Sequence, residues 1–155
     1  MRLTAHGIDV DVPQGWDGEI YRRSGGFTTQ GVKSESPNPV LHIANFPMPA
    51  TRGDYGSGAV EVMGSDSILI VLFEFGPESV GKALFSTAGI PTTNPADFAT
   101  NTLQRPQKGQ SGAQYFFTER GRAFCLYVVL GSHPRRNELV PEVNQVLKTI
   151  DLDTL

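Results

Sequence analysis

Residues 67–75 read "SILIVLFEF", and the apolar side chains run unbroken from Ile68 to Phe73. If this stretch is a strand, Ile68, Ile70 and Leu72 point one way and Leu69, Val71 and Phe73 the other. A strand greasy on both faces must be covered on both, so it belongs in the middle of a sheet. The second such stretch, "AFCLYVVLG" at 123–131, behaves alike. Ala123, Cys125, Tyr127 and Val129 share one face, and Phe124, Leu126, Val128 and Leu130 share the other. Both runs are far shorter than the ~20 residues of a membrane-spanning helix.

The remaining pattern is built around these strands. Ile8, Val10 and Val12 alternate with Asp9 and Asp11, which predicts a half-buried strand. "PQGW" at 13–16 ends it, with Trp16 folding back on the core and Ile20-Tyr21 extending a second short strand. Residues 24–39, rich in Gly, Ser and Pro, predict a long surface loop. "VLHIANF" at 40–46 is another strand, stopped by Pro47 and Pro49. Residues 54–66 are expected to form a helix of one to three turns capped by Asp54, despite Gly56 and Gly58. Residues 97–105 are expected to return to the sheet as a short strand. A hairpin follows, with arms 113–118 and 122–130 and Arg120-Gly121 in its turn. Leu139, Val143, Val146, Leu147 and Ile150 recur at spacings of three and four. They predict an amphipathic C-terminal helix with Asn137 as N-cap and Pro141 within about the first turn.

A length of 155 residues suits one domain spanning 1–155. Strands first and a helix last predict an α+β class: a largely antiparallel sheet flanked by helices, with the C-terminal helix packed on it. One cysteine cannot form an internal disulfide, and the N-terminus lacks the apolar run of a signal peptide. A cytoplasmic protein without a membrane span is expected. The net charge of −3 and a pI near 5.5 argue against a nucleic-acid binder. Arg22-Arg23, Arg135-Arg136 and the group Arg105, Lys108, Arg120 and Arg122 read as ordinary solvated charge.

Several chemistries find no motif. Cys125, between two apolar faces, is expected to be interior packing with little thiolate, not a nucleophile. His6, His42 and His133 are scattered, with no HExxH or CxxC, so no metal site is expected. His42 shares a strand face with Val40, Ala44 and Phe46 and reads as a satisfied, half-buried histidine. "GSGAVE" at 56–61 misses a dinucleotide fingerprint, because Glu61 stands where the third glycine belongs. No phosphate loop or GxSxG elbow occurs, and turn chemistry explains Ser111 between its glycines. No catalytic, cofactor-binding or metal residue is assigned, and no cofactor is expected. Glu74 stands out, in line with Ile68, Ile70 and Leu72 at the end of the central strand. A carboxylate there is solvated at the rim or has a raised pKa.

"GIDVDVPQGW", "ILIVLFEFG", "QYFFTERGRAFCLYVVLG" and "LVPEVNQVLKTIDL", in that order, resemble Mog1/PsbP-like α/β/α sandwich proteins in a form associated with actinobacteria. The resemblance covers most of the chain and implies a terminal helix running into a last short strand. Relatives of that fold include a nuclear-transport GTPase regulator, a photosystem accessory subunit, lipoproteins and effector chaperones. They share no catalytic residues, so the resemblance implies binding and carries no site. The expected function is a non-catalytic protein-binding, adaptor or chaperone-like module whose partner is another protein. Two alternatives stand beside it. One is a structural subunit of a larger assembly, with homo-oligomerisation open. The other is a small-molecule binder or enzyme with a pocket near Glu74 and His133.

Overall fold

The computed structural model describes residues 1–22 and 38–153. The expected loop at 24–39 lies outside the described residues, apart from its last two positions. Eight strands and one α-helix form: β1 (Arg2–Ala5), β2 (Ile8–Asp11), β3 (Asp17–Arg22), β4 (Pro39–Ala44), β5 (Ile68–Glu74), β6 (Ser111–Glu119), β7 (Arg122–Leu130), α1 (Arg136–Leu147) and β8 (Asp151–Leu152). They make a five-stranded sheet ordered β3-β4-β5-β7-β6 and a three-stranded sheet ordered β1-β2-β8. Neighbouring strands are antiparallel throughout.

The sheet-flanked-by-helices sandwich is not what this chain builds. Two antiparallel sheets and a single α-helix account for the described residues. The C-terminal helix does pack on the large sheet, but the other face carries irregular chain. Strand periodicity explains why two separate apolar layers result. Ile68, Ile70, Leu72, Leu126 and Val128 join Leu139, Val143 and Val146 of α1 and Ile8, Val10 and Leu152 of the small sheet. Leu69, Val71, Phe73, Cys125, Tyr127 and Val129 form the second layer, under Val60 and Leu103, with Phe46, Met48 and Tyr55 packed alongside.

Glycine and proline spacing is the reason the second face lacks a helix. The helix expected at 54–66 is only a 3₁₀ turn at Val60–Val62. Gly56 and Gly58 hold φ of 87° and 94°, which a right-handed helix cannot use. The strand expected at 97–105 is also replaced by turns, at Pro95–Asp97 and Thr100–Thr102. Asn94 accepts a hydrogen bond from Ala96 N and Pro95 starts the first turn, so the chain curls before it can extend. Within this segment Ala99 makes the backbone pairing with the sheet edge, exchanging two 3.0 Å hydrogen bonds with Gly112.

Elsewhere the local chemistry acts as expected. Arg120 and Gly121 both take positive φ, 49° and 76°, as a two-residue hairpin turn requires. Trp16 is half-buried against the first apolar layer. The helix differs in detail. Turns from Ser132 and His133 wind the chain early, so α1 starts at Arg136 and Asn137 lies inside it. Pro141 is therefore at the sixth helical position, and the helical bond it cannot make belongs to the carbonyl of Asn137, an exposed residue. Among the described residues, no helix is long and apolar enough to cross a membrane.

Candidate functional site

The end of β5 holds the residue singled out from the sequence. Glu74 is buried and opposes Phe124 across the β5–β7 ladder. On the same face sits Arg122, also buried, which makes a bidentate ion pair: Nε to Oε2 at 2.9 Å and Nη2 to Oε1 at 2.7 Å. The same guanidinium donates to the carbonyls of Gly7 (2.9 Å), Asp153 (2.7 Å) and His6 (3.2 Å) and lies 5.0 Å from the Phe124 ring centre. His6 and Gly7 form the β1–β2 turn with φ of 52° and 75°, which places their carbonyls at this point. Glu74 is thus buried in an ion pair, not solvated at the rim. It anchors a clamp joining both sheets.

Beside this clamp lies a groove of about 300 Å³ lined by Phe75, Pro77, Val80, Arg120 and Ala123, with Glu74 and Arg122 at its base. Proline and glycine in "FGPESVGKALF" prevent a strand here, and turns at Pro77–Ser79 and Ala83–Phe85 push side chains outward. Val80 is 37% exposed and Leu84 59%. Phe75, Phe85 and Phe116 stack behind them with ring centres 5.1–6.4 Å apart. Arg120 is half-exposed, and its nearest carboxylates, Asp151 and Asp153, stand 3.6 and 3.8 Å away, beyond hydrogen-bond length.

The second polar cluster was not assembled from the sequence. His42 is wholly buried, not half-buried, and both ring nitrogens are engaged. Arg52 Nε donates to Nδ1 at 2.9 Å. Nε2 therefore carries the proton and donates to the Asp54 carbonyl at 2.9 Å, with the Tyr21 oxygen 3.3 Å away. Tyr21 donates to Asp54 Oδ1 at 2.8 Å, and Arg52 also pairs with Glu19. Burial first, and then the Arg52 cation, hold the His42 pKa below its ordinary value. Burial and the Asp54 carboxylate push the Tyr21 hydroxyl upward. Neither ring is available as a base. A groove of about 530 Å³ lined by Asp54, Tyr55, Gln104 and Arg105, of mixed polar and apolar surface, adjoins the cluster.

His133 and Glu74 do not share a pocket. Glu74 opposes Phe124 while Ile68, at the other end of β5, opposes Leu130. Six residues of β7 separate those ends, roughly 20 Å, and His133 lies beyond the far one. Its Nδ1 is buried with no hydrogen-bond partner among the described residues. Ser111 is buried at the start of β6, paired with Leu130, and its Oγ is likewise unpartnered. Among the described residues no group of three or more His, Cys, Asp or Glu side chains could hold a metal ion.

Cys125 is wholly buried, with Gln114 Nε2 donating to Sγ at 3.3 Å, and burial pushes its thiol up to about 11. A pyridyl disulfide at neutral pH should therefore label the native protein at least ~100-fold more slowly than the urea-unfolded chain. Equal rates would show that the second apolar layer is open. In comparisons with known proteins, no family model, curated protein or solved structure matches this chain.

Proposed function

We propose that the protein is a non-catalytic binding module that recognises another protein through the groove at the end of β5. The observation that carries this reading is the pairing of exposed Val80 and Leu84 with an apolar groove rimmed by Arg120. Apolar anchors beside an arginine are the composition that protein interfaces favour. The partner then offers an apolar side chain to the groove and a carboxylate to Arg120. The saturation of Glu74, His42 and Cys125 by their neighbours supports binding over catalysis, because none is left as nucleophile or base. A cytoplasmic site of action belongs to this reading and fits a chain with one buried cysteine.

The test is quantitative co-purification with Val80→Asp and Leu84→Asp variants from native cells. Both positions are exposed, so the fold should persist with stability changed by less than about 0.5 kcal/mol. The wild type should retain a recurrent protein that each variant loses at least about tenfold, as expected when a charge replaces an interface anchor. A recurrent partner retained equally by both variants, or no recurrent partner at all, would overturn the assignment.

A further inference from the structure

The chain from Phe46 to Gly58 lies over the second apolar layer, with Phe46, Met48 and Tyr55 packed against it. Tyr55 sits 4.4 Å from the Phe73 ring and 5.4 Å from that of Tyr127, centre to centre. Phe73 in turn opposes Cys125 across the ladder. The polar attachments of this cover converge on β3 and β4. Met48 N donates to Asp17 at 2.9 Å, Arg52 pairs with Glu19, and Tyr21 donates to Asp54. Among the described residues two more end on His42: Arg52 on one ring nitrogen and the Asp54 carbonyl on the other.

That arrangement accepts only neutral imidazole. Arg52 cannot give up its proton, so Nδ1 must offer a lone pair. A protonated ring would set N–H against N–H at 2.9 Å and place two cations side by side. Among the described residues, the charged and titratable groups facing His42 are Glu19 and Tyr21 from β3 and Arg52 and Asp54 from the cover, while Val71 opposite it on β5 brings no charge. Glu19 is already engaged by Arg52 and Asp54 by Tyr21, so neither is positioned to offset a second cation.

We propose that residues 46–58 are a pH-sensitive cover latched by neutral His42: protonation of the ring breaks its bond from Arg52 and lifts the cover from the second apolar layer. The lifted form exposes Tyr55, the floor of the groove beside it and the approach to Cys125. The sign follows from linkage. With the cover closed, His42 takes a proton only below its ordinary value of 6.5, whereas the lifted form titrates near that value. Above about pH 7 the latch is fully closed. As pH falls below 6.5, the lifted population grows by up to about tenfold per unit, until the closed form's own titration is reached.

The experiment measures amide exchange of residues 46–58 and pyridyl-disulfide labelling of Cys125 between about pH 7.5 and 5.5. Both are normalised at each pH to the urea-unfolded chain, which removes the intrinsic pH dependence of amide and thiol. Both normalised rates should rise toward tenfold per unit below 6.5, with β5 and β7 amides unchanged. His42→Asn keeps an acceptor toward Arg52 but cannot titrate, and its rates should be flat, while His133→Asn should keep the wild-type slope. A direct ring titration of His42 by NMR in the wild type covers the case in which His42→Asn fails to fold. Its proton uptake should track the cover's exchange. Flat rates in the wild type, an equal slope in His42→Asn, cover and β5 exchanging together, or opening while the ring stays neutral would each overturn the latch.

Discussion

Glu74→Ala should lower the unfolding free energy by about 3–5 kcal/mol, one of the two largest single-residue effects expected here. The carboxylate removed is buried and bidentate, and the Arg122 guanidinium it leaves is equally buried. Arg122 keeps its three carbonyl acceptors at Gly7, Asp153 and His6, but carbonyls do not neutralise a charge. Arg122→Leu should cost a similar amount for a different reason, since it strands the Glu74 charge and takes the guanidinium from the His6 and Asp153 carbonyls, while Gly7 O keeps its bond from Asp153 N at 3.0 Å. The double variant Glu74→Ala/Arg122→Leu should then be clearly less damaging than the two single losses added together, with a coupling of at least ~2 kcal/mol. What remains, about 1–3 kcal/mol, reflects the guanidinium bonds lost by the His6 and Asp153 carbonyls. Urea unfolding of the four proteins measures this cycle. Single losses below ~1 kcal/mol, or simple additivity, would show that the pair is solvated.

Gly131→Ala should be comparably severe, about 2–4 kcal/mol. Here the chain after β7 passes directly over the turn at 64–67. Gly131 N donates to Ser67 O at 2.8 Å, and a methyl group on Gly131 would fall inside the van der Waals surface of the Gly64 carbonyl oxygen. Backbone, not a flexible side-chain tip, is what would have to move. Gly64, on the other side of this contact, has open space where its own methyl would go. Gly64→Ala should therefore change stability by less than about 0.5 kcal/mol. Thermal unfolding of both variants tests the asymmetry, and equal effects would contradict the close approach.

The elements that were readable from the chain are those whose side chains carry a short period. Ile68 to Phe73 and Ala123 to Leu130 sort correctly onto their two faces, because alternation needs no knowledge of the partner. The Arg120-Gly121 turn is local chemistry too. What covers the second face is not local. Phe46, Met48, Tyr55, Val60 and Leu103 come from segments without any period, held by turns and by long-range hydrogen bonds. Expecting a helix at 54–66 and a strand at 97–105 underrated Gly56, Gly58 and Pro95.

The polar groups show the same division. Glu74 could be seen as anomalous at the end of an apolar strand, yet Arg122 lies 48 residues away. Nothing in the spacing joins them, and expecting a carboxylate solvated at the rim leaves no place for that partner. His42 stood between Val40 and Ala44 on a face that proves buried, which was a signal of burial. Its partners Arg52 and Asp54 lie in a turn-rich stretch beyond the strand stop at Pro47 and Pro49, and expecting Asp54 to cap a helix gave its side chain a different role.

The Arg122 clamp also ties together segments far apart along the chain. Strand β2 needs β8 to complete its sheet, and the carbonyls of His6 and Gly7 share their guanidinium with that of Asp153. Residues 6–9 therefore cannot gain all their final neighbours until residues 151–153 are in place. Without β8 the β1–β2 hairpin would keep its own ladder, but Ile8 would lack Leu152 opposite it.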